Sequence, residues 1–181
     1  MKVLEKQVAE LQSQLDALKQ KSPSDKLSLI VFSGDLDKAL AAFVIATGAV
    51  AMGMEANMFF TFWGTPLLRD KHKHVGGKDA MGKMFGTMLP TGTTQAKLSK
   101  MNLGGMGTVM MKALMKKKNV SSLKEFLALA EELEVNILIC EMSMDLMGFK
   151  REEMIDYKYL TYGGVASFLA EAADSKIQLF I

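Results

Sequence analysis

The stretch from Leu27 to Phe62 constrains the fold more than any other. Leu27–Ser28–Leu29–Ile30–Val31–Phe32 is a short apolar run that stops at Ser33–Gly34–Asp35. Such a run, closed by turn residues, reads as a strand buried on both faces. Asp35 is placed to cap a helix from about Leu36 to Met52. Ala56 to Phe62 then supplies a second buried strand, which ends in Trp63–Gly64–Thr65–Pro66. A strand, a helix and a strand in this order call for a right-handed crossover and a parallel sheet.

The alternation continues to the end of the chain. Ser121 or Ser122 caps an amphipathic helix whose apolar face is Leu123, Phe126, Leu127, Ala130 and Leu133. Val135–Asn136–Ile137–Leu138–Ile139 is a third apolar run, and it reaches Cys140. A short helical piece follows, then a helix starting near Arg151 and a polar-aromatic stretch from Tyr157 to Tyr162. Gly163–Gly164 opens a helix from Val165 to Ala173, and Lys176 to Ile181 forms a last strand. The expectation is one three-layer α/β domain over residues 26–181 with a central, mainly parallel sheet, Rossmann-like in build. Residues 67–107 form an insertion rich in Met, Gly and Lys, and Met106 to Lys117 reads as a helix with a basic last turn. Ahead of the domain, Leu4, Val8, Leu11, Leu15 and Leu18 mark a heptad seam in an N-terminal amphipathic, coiled-coil-like helix over residues 1–22.

Composition excludes several classes. Of 181 residues, 49% are hydrophobic and 23% charged, which fits a globular core rather than a disordered chain. The net charge of +2 gives no case for nucleic acid. A single cysteine rules out an internal disulfide and any C-x-x-C metal or redox motif, and it suits the reducing cytoplasm. No signal-peptide pattern opens the sequence. Ala39 to Trp63 approaches the length of a membrane span, but Gly53–Met54–Glu55 splits it, and it reads as a helix followed by a strand.

In an open parallel sheet, ligands bind beyond the carboxyl ends of the strands. The exits here are Ser33–Gly34–Asp35, Trp63–Gly64–Thr65, Cys140 onward, and Tyr162–Gly163–Gly164. Cys140 is therefore a rim residue, and a helical turn after it would favour thiolate. Position alone leaves an inert structural thiol and a reactive one both open. The two histidines, His72 and His74, lie in the insertion, and no spacing brings either to Cys140, so a Cys–His hydrolase is poorly supported. His72–Lys73–His74 supplies too few ligands for a metal, and neither metal nor cofactor is expected. A lone thiolate can carry sulfur as a persulfide without a base. The lysines at 71, 73, 78 and 83, with those at 112, 116, 117 and 118, read as solvated or as a basic rim for an acidic partner.

The strings ILICEMSMDLMGF, YKYLTYGGVASFLAEA and VFSGDLDKALAAFVIATGAVAMGMEANMFFTFWG together resemble the DsrE/DsrF-like family, in its sulfurtransferase or so-called peroxiredoxin-like branch. The resemblance covers about residues 26–181. No Thr-x-x-Cys pattern supports the peroxiredoxin label. The family implies a homo-oligomer and sulfur relay through Cys140, with a rhodanese-like protein or small sulfur carrier as donor or acceptor. Some relatives in the branch are membrane-associated, so the resemblance keeps the Ala39–Trp63 question open. Ser33, Gly34, Trp63, Gly64, Met142, Ser143 and Gly163 would line the pocket, Cys140 would be reachable from solvent, and the insertion would form a lid over it with its lysines outward. The rival expectation is a non-catalytic small-molecule- or nucleotide-binding α/β module with a structural cysteine.

Overall fold

The structure, a computed structural model, describes residues 4, 6–8, 10–14, 23–73, 75–78 and 80–181. Most of the heptad segment, including Leu15 and Leu18, lies outside them, as does His74. Residues 4, 6–8 and 10–14 are helical and exposed, and Leu4, Val8 and Leu11 meet no core.

Five parallel strands form one sheet in the order β4-β3-β2-β1-β5. They are β1 (Ser24–Val31), β2 (Glu55–Phe60), β3 (Asn136–Cys140), β4 (Leu160–Gly163) and β5 (Ser175–Phe180). The expected parallel α/β architecture is the observed one. Parallel strands need crossovers, and helices supply them: α1 (Leu36–Ala51) links the neighbours β1 and β2, and α6 (Val165–Ala173) carries the chain from β4 at one edge to β5 at the other. The long connection from β2 to β3 holds α2 (Ala80–Met88), α3 (Met106–Lys117) and α4 (Leu123–Glu132), and the short α5 (Glu141–Met147) follows β3 directly.

The two faces of the sheet are unequal. Leu27, Leu29, Val31, Met58, Phe60, Ile137 and Ile139 point into the main core with Ala39, Ala42, Phe43 and Ala46 of α1. The run of alanines lets α1 lie close to the sheet, and Phe43 packs against Phe60 with ring centroids 6.0 Å apart. The opposite face has a small cluster of Phe59, Cys140, Phe168 and Ala172, with Ile30 and Leu138 beside it. Among the described residues its helical members, Phe168 and Ala172, both come from α6. β5 is an edge strand exposed beyond Ser175.

Several local expectations need correction. Asp35 sits at the N-cap of α1 but makes no capping bond with its side chain. Its carboxylate instead accepts from Ser33 Oγ at 2.8 Å and Lys38 Nζ at 2.9 Å. At α4 the full capping box forms, Ser122 with Glu125. The helix expected near Arg151 is only a 3₁₀ turn, Arg151–Glu153, and β4 begins within the polar-aromatic stretch after it and ends at Gly163, in the strand exit expected at Tyr162–Gly163–Gly164. Among the described residues no helix is long and apolar enough to cross a membrane. α1 stops at 16 residues, where a span needs about 20.

Candidate functional site

Cys140 ends β3 and is the N-cap residue of α5, with φ −71° and ψ 110°. Strand alternation sets its direction. Ile137 and Ile139 face the main core, so Leu138 and Cys140 face α6. There the thiol packs with Phe59 and with Phe168 and Ala172 of α6, and only 3% of the residue is exposed. The solvent-reachable thiol expected from sequence is therefore replaced by a covered one. Phe59 and Phe168 stack at 5.1 Å and 15°, closing that face.

Across the sheet Cys140 pairs with Gly163. Paired residues share a face, and at Gly163 that face carries no side chain. A Cβ there would meet Ser167 Oγ at 3.1 Å and Leu138 Cδ1 at 3.2 Å. Just after the thiol, Glu141 accepts a hydrogen bond from Arg151, whose guanidinium lies 4.7 Å from the ring centre of Tyr162 in β4. This bridge ties the start of α5 to the neighbouring strand, and sequence reasoning did not foresee it.

The other expected pocket residues divide into groups. Ser33, Gly34 and Trp63 line a cleft of about 860 Å³ at the carboxyl ends of β1 and β2. Thr87 to Pro90 and Gln95 to Lys97 of the insertion form its other wall, and neither Cys140 nor Gly64 is among its lining residues. Gly34 and Gly64 serve close approach instead: a Cβ would stand 2.3 Å from Trp63 O at the first and 2.2 Å from Val31 O at the second. Ser143 is wholly buried. Its Oγ accepts from Phe62 N at 3.0 Å and pairs with Thr61 Oγ1 at 2.9 Å, fastening α5 to the exit of β2. Met142 is 59% exposed, beside the thiol in sequence but outside its cluster.

The insertion does lie at the carboxyl edge, and α2 packs against α5. The cover over the thiol, however, is α6. Nor do all the insertion's lysines face outward: Lys78 turns in to Glu153 at 2.6 Å, its side chain only 10% exposed. Arg69, also missed from sequence, reaches the same carboxylate at 3.5 Å. Both cations lie over the ring of Phe149, at 4.5 Å for Arg69 and 5.4 Å for Lys78. His72 sits in a turn with its backbone N–H on Asp70 Oδ1 at 2.9 Å. Among the described residues no group of acidic, histidine or cysteine side chains could hold a metal.

Five parallel strands flanked by helices define a small single-domain α/β protein, and its one cysteine stands where the third strand turns into a helix. The sequence model of the DsrE/DsrF/DrsH-like family matches residues 23–180, and the chain belongs to that family. It is 43% identical over 156 residues to YrkE of Bacillus subtilis, an uncharacterized protein, covering 86% of this chain and 96% of that one. It is 36% identical over 168 residues to the sulfur carrier protein DsrE2 of Allochromatium vinosum, covering 86% and 98%. The YchN protein of E. coli aligns over 86% of this chain and 98% of its own, at 9% identity and a TM-score of 0.49.

Proposed function

We propose that the protein relays sulfane sulfur as a persulfide on Cys140. The observation that carries this reading is the position of the chain's one thiol, at the carboxyl end of β3 and the start of α5. Family membership and a relative described as a sulfur carrier support a sulfur-relay role. In the loading step the Cys140 thiolate attacks the outer sulfur of a donor persulfide R–S–SH. A new S–S bond forms on Cys140, the donor's S–S bond breaks, and R–S⁻ leaves. In delivery an acceptor thiolate attacks the same outer sulfur, and Cys140 returns as thiolate. Both steps conserve electrons, so no external oxidant or reductant is needed. In this structure Cys140 makes no side-chain capping bond to the first turn of α5, and the N–H groups there would meet negative charge on the sulfur once the side chain turns toward them. The partners in this reading are a donor or acceptor protein, rhodanese-like or a small sulfur carrier, with the chain acting as a homo-oligomer.

Burial of Cys140 requires that α6 yield before a partner reaches the sulfur. α6 is suited to that, since only Phe168 and Ala172 of its residues are buried and Gly164 gives it no side-chain cap. The same burial favours the rival reading, a binding module with an inert cysteine. Intact mass after incubation with thiosulfate or polysulfide separates the two. Wild type should gain about 32 Da per sulfur atom, and Cys140→Ser should gain nothing. An unchanged wild-type mass, with a thiol that alkylates only after denaturation, overturns the relay.

A further inference from the structure

The lysines of the insertion converge where sequence showed only scattered charge. A cavity of about 430 Å³ is lined by Arg69, Lys71, Lys73, Lys78 and Lys83, with Glu153 as the one carboxylate among the described residues that line it. Glu153 is spoken for: it holds Lys78 at 2.6 Å and Arg69 at 3.5 Å, and it also accepts from Lys150 N at 3.1 Å. Lys73 is paired with Asp156 at 2.6 Å. Lys71 and Lys83 make no ion pair among the described residues.

Arg69 is the most constrained of the five. It is 7% exposed, and its Nε is buried with no hydrogen-bond partner. Its two terminal nitrogens reach Gly86 O at 3.3 Å each, long for bonds from a charged donor. Burial holds the guanidinium below its ordinary value while Glu153 pulls the other way. Two neutral lining groups add donors. Gln95 Oε1 already accepts from Thr91 N at 2.9 Å, which leaves its amino group to donate, and Thr91 brings a hydroxyl; the Thr87 hydroxyl is already given to Met84 O at 2.9 Å.

We infer that this cavity binds a small tetrahedral oxyanion of double negative charge, of the phosphate, sulfate or thiosulfate class. Excess buried positive charge and the unpartnered Arg69 Nε match such an ion. A cation would be repelled. A nucleic acid or an acidic protein surface could touch Lys71 and Lys83 but not reach Arg69 or Lys78, which are enclosed. The site borders Phe149, a member of the main core, whereas Cys140 packs on the other face of the sheet. The inference therefore stands apart from the persulfide reading.

Titration calorimetry of the full chain at low ionic strength tests it, with inorganic phosphate, sulfate and thiosulfate as probes and nitrate as the monovalent control. The expected result is saturable one-site binding of at least one dianion, with nitrate weaker by about tenfold or more. The order among the three dianions identifies the species preferred. Arg69→Gln would strand Glu153 and could unfold the chain, so the exposed lysines carry the test. Lys71→Gln/Lys83→Gln should fold normally and weaken binding by about tenfold. Cys140→Ser should bind as wild type does, and the lysine variant should still take up sulfur at Cys140. No saturable heat up to about 10 mM of any dianion, or binding unchanged in the lysine double variant, overturns the site.

Discussion

Cys140 and Gly163 are partners across the parallel pair β3 and β4, and the thiol shares its face of the sheet with a residue that has no side chain. On that face bare backbone stands on one side of the sulfur, and around it lie Phe59 and, from the helix that follows Gly163, Phe168 and Ala172. Gly163 and α6 therefore act on the thiol together: the glycine leaves room beside it, and the helix closes over it.

Filling that room should be felt in graded fashion. At Gly163→Ala the new Cβ presses on Ser167 Oγ and Leu138 Cδ1, both ends of side chains that can shift slightly. The expected cost is about 1 kcal/mol for alanine and about 3 kcal/mol for valine, by urea denaturation. Valine no worse than alanine would mean that this face is not crowded.

Phe168 governs access to the sulfur. Phe168→Ala removes the ring stacked on Phe59 and should cost about 3 kcal/mol. Alkylation of Cys140 in the native protein should also quicken by about tenfold or more, because α6 opens more often. Phe43→Ala is the control, since it empties the main core on the opposite face. If Phe43→Ala speeds alkylation as much as Phe168→Ala, the thiol is reached by global unfolding and α6 is no gate.

The sheet was legible because its strands are apolar runs closed by glycine or polar turns, and the Ala-rich α1 fits between two of them. β4 was legible only at its exit, Tyr162–Gly163–Gly164, because Leu160–Thr161–Tyr162–Gly163 is too short and too polar to stand out from the aromatic stretch around it. Asp35 shows the limit of capping rules: Ser33 and Lys38 compete for the same carboxylate and hold it. At Cys140 the parity of the strand could be counted from Ile137 and Ile139, but not which helix lies on the thiol's face, since that depends on where β4 and β5 sit in the strand order. The cluster of Arg69, Lys78 and Glu153 joins residues too far apart in the chain for any spacing rule. Ser143 illustrates the same gap, read as a pocket residue although its partners Thr61 and Phe62 lie some eighty positions away.

Ser143→Ala tests that fastening. The change leaves Phe62 N–H and the Thr61 hydroxyl without their buried partner, at an expected cost of about 2 kcal/mol. Thr61→Val made on the Ser143→Ala background should cost less than it does alone, because the bond between the two hydroxyls is already gone. Strict additivity in denaturant unfolding would show that the hydroxyl pair contributes nothing.

Tyr157 should set part of the alkaline limit of stability. Its hydroxyl donates to Val135 O at 2.7 Å in the core. Burial, then the negative charges of Glu131 and Tyr159, raise its ionisation well above the ordinary 10.0. The unfolded chain can lose this proton near pH 10 while the folded chain holds it. The contribution is therefore complete below pH 10 and is lost as the pH climbs from there toward the folded value. One such group steepens the fall by at most about 1.4 kcal/mol per pH unit. Tyr162 is raised for a similar reason, chiefly burial, so some alkaline slope remains in any single variant. Tyr157→Phe should lose about 1 kcal/mol at pH 8 through the missing hydrogen bond, yet decline less steeply than wild type between pH 10 and 11. Urea denaturation across that range checks both parts, and parallel curves for the two proteins would show that Tyr157 ionises as freely folded as unfolded.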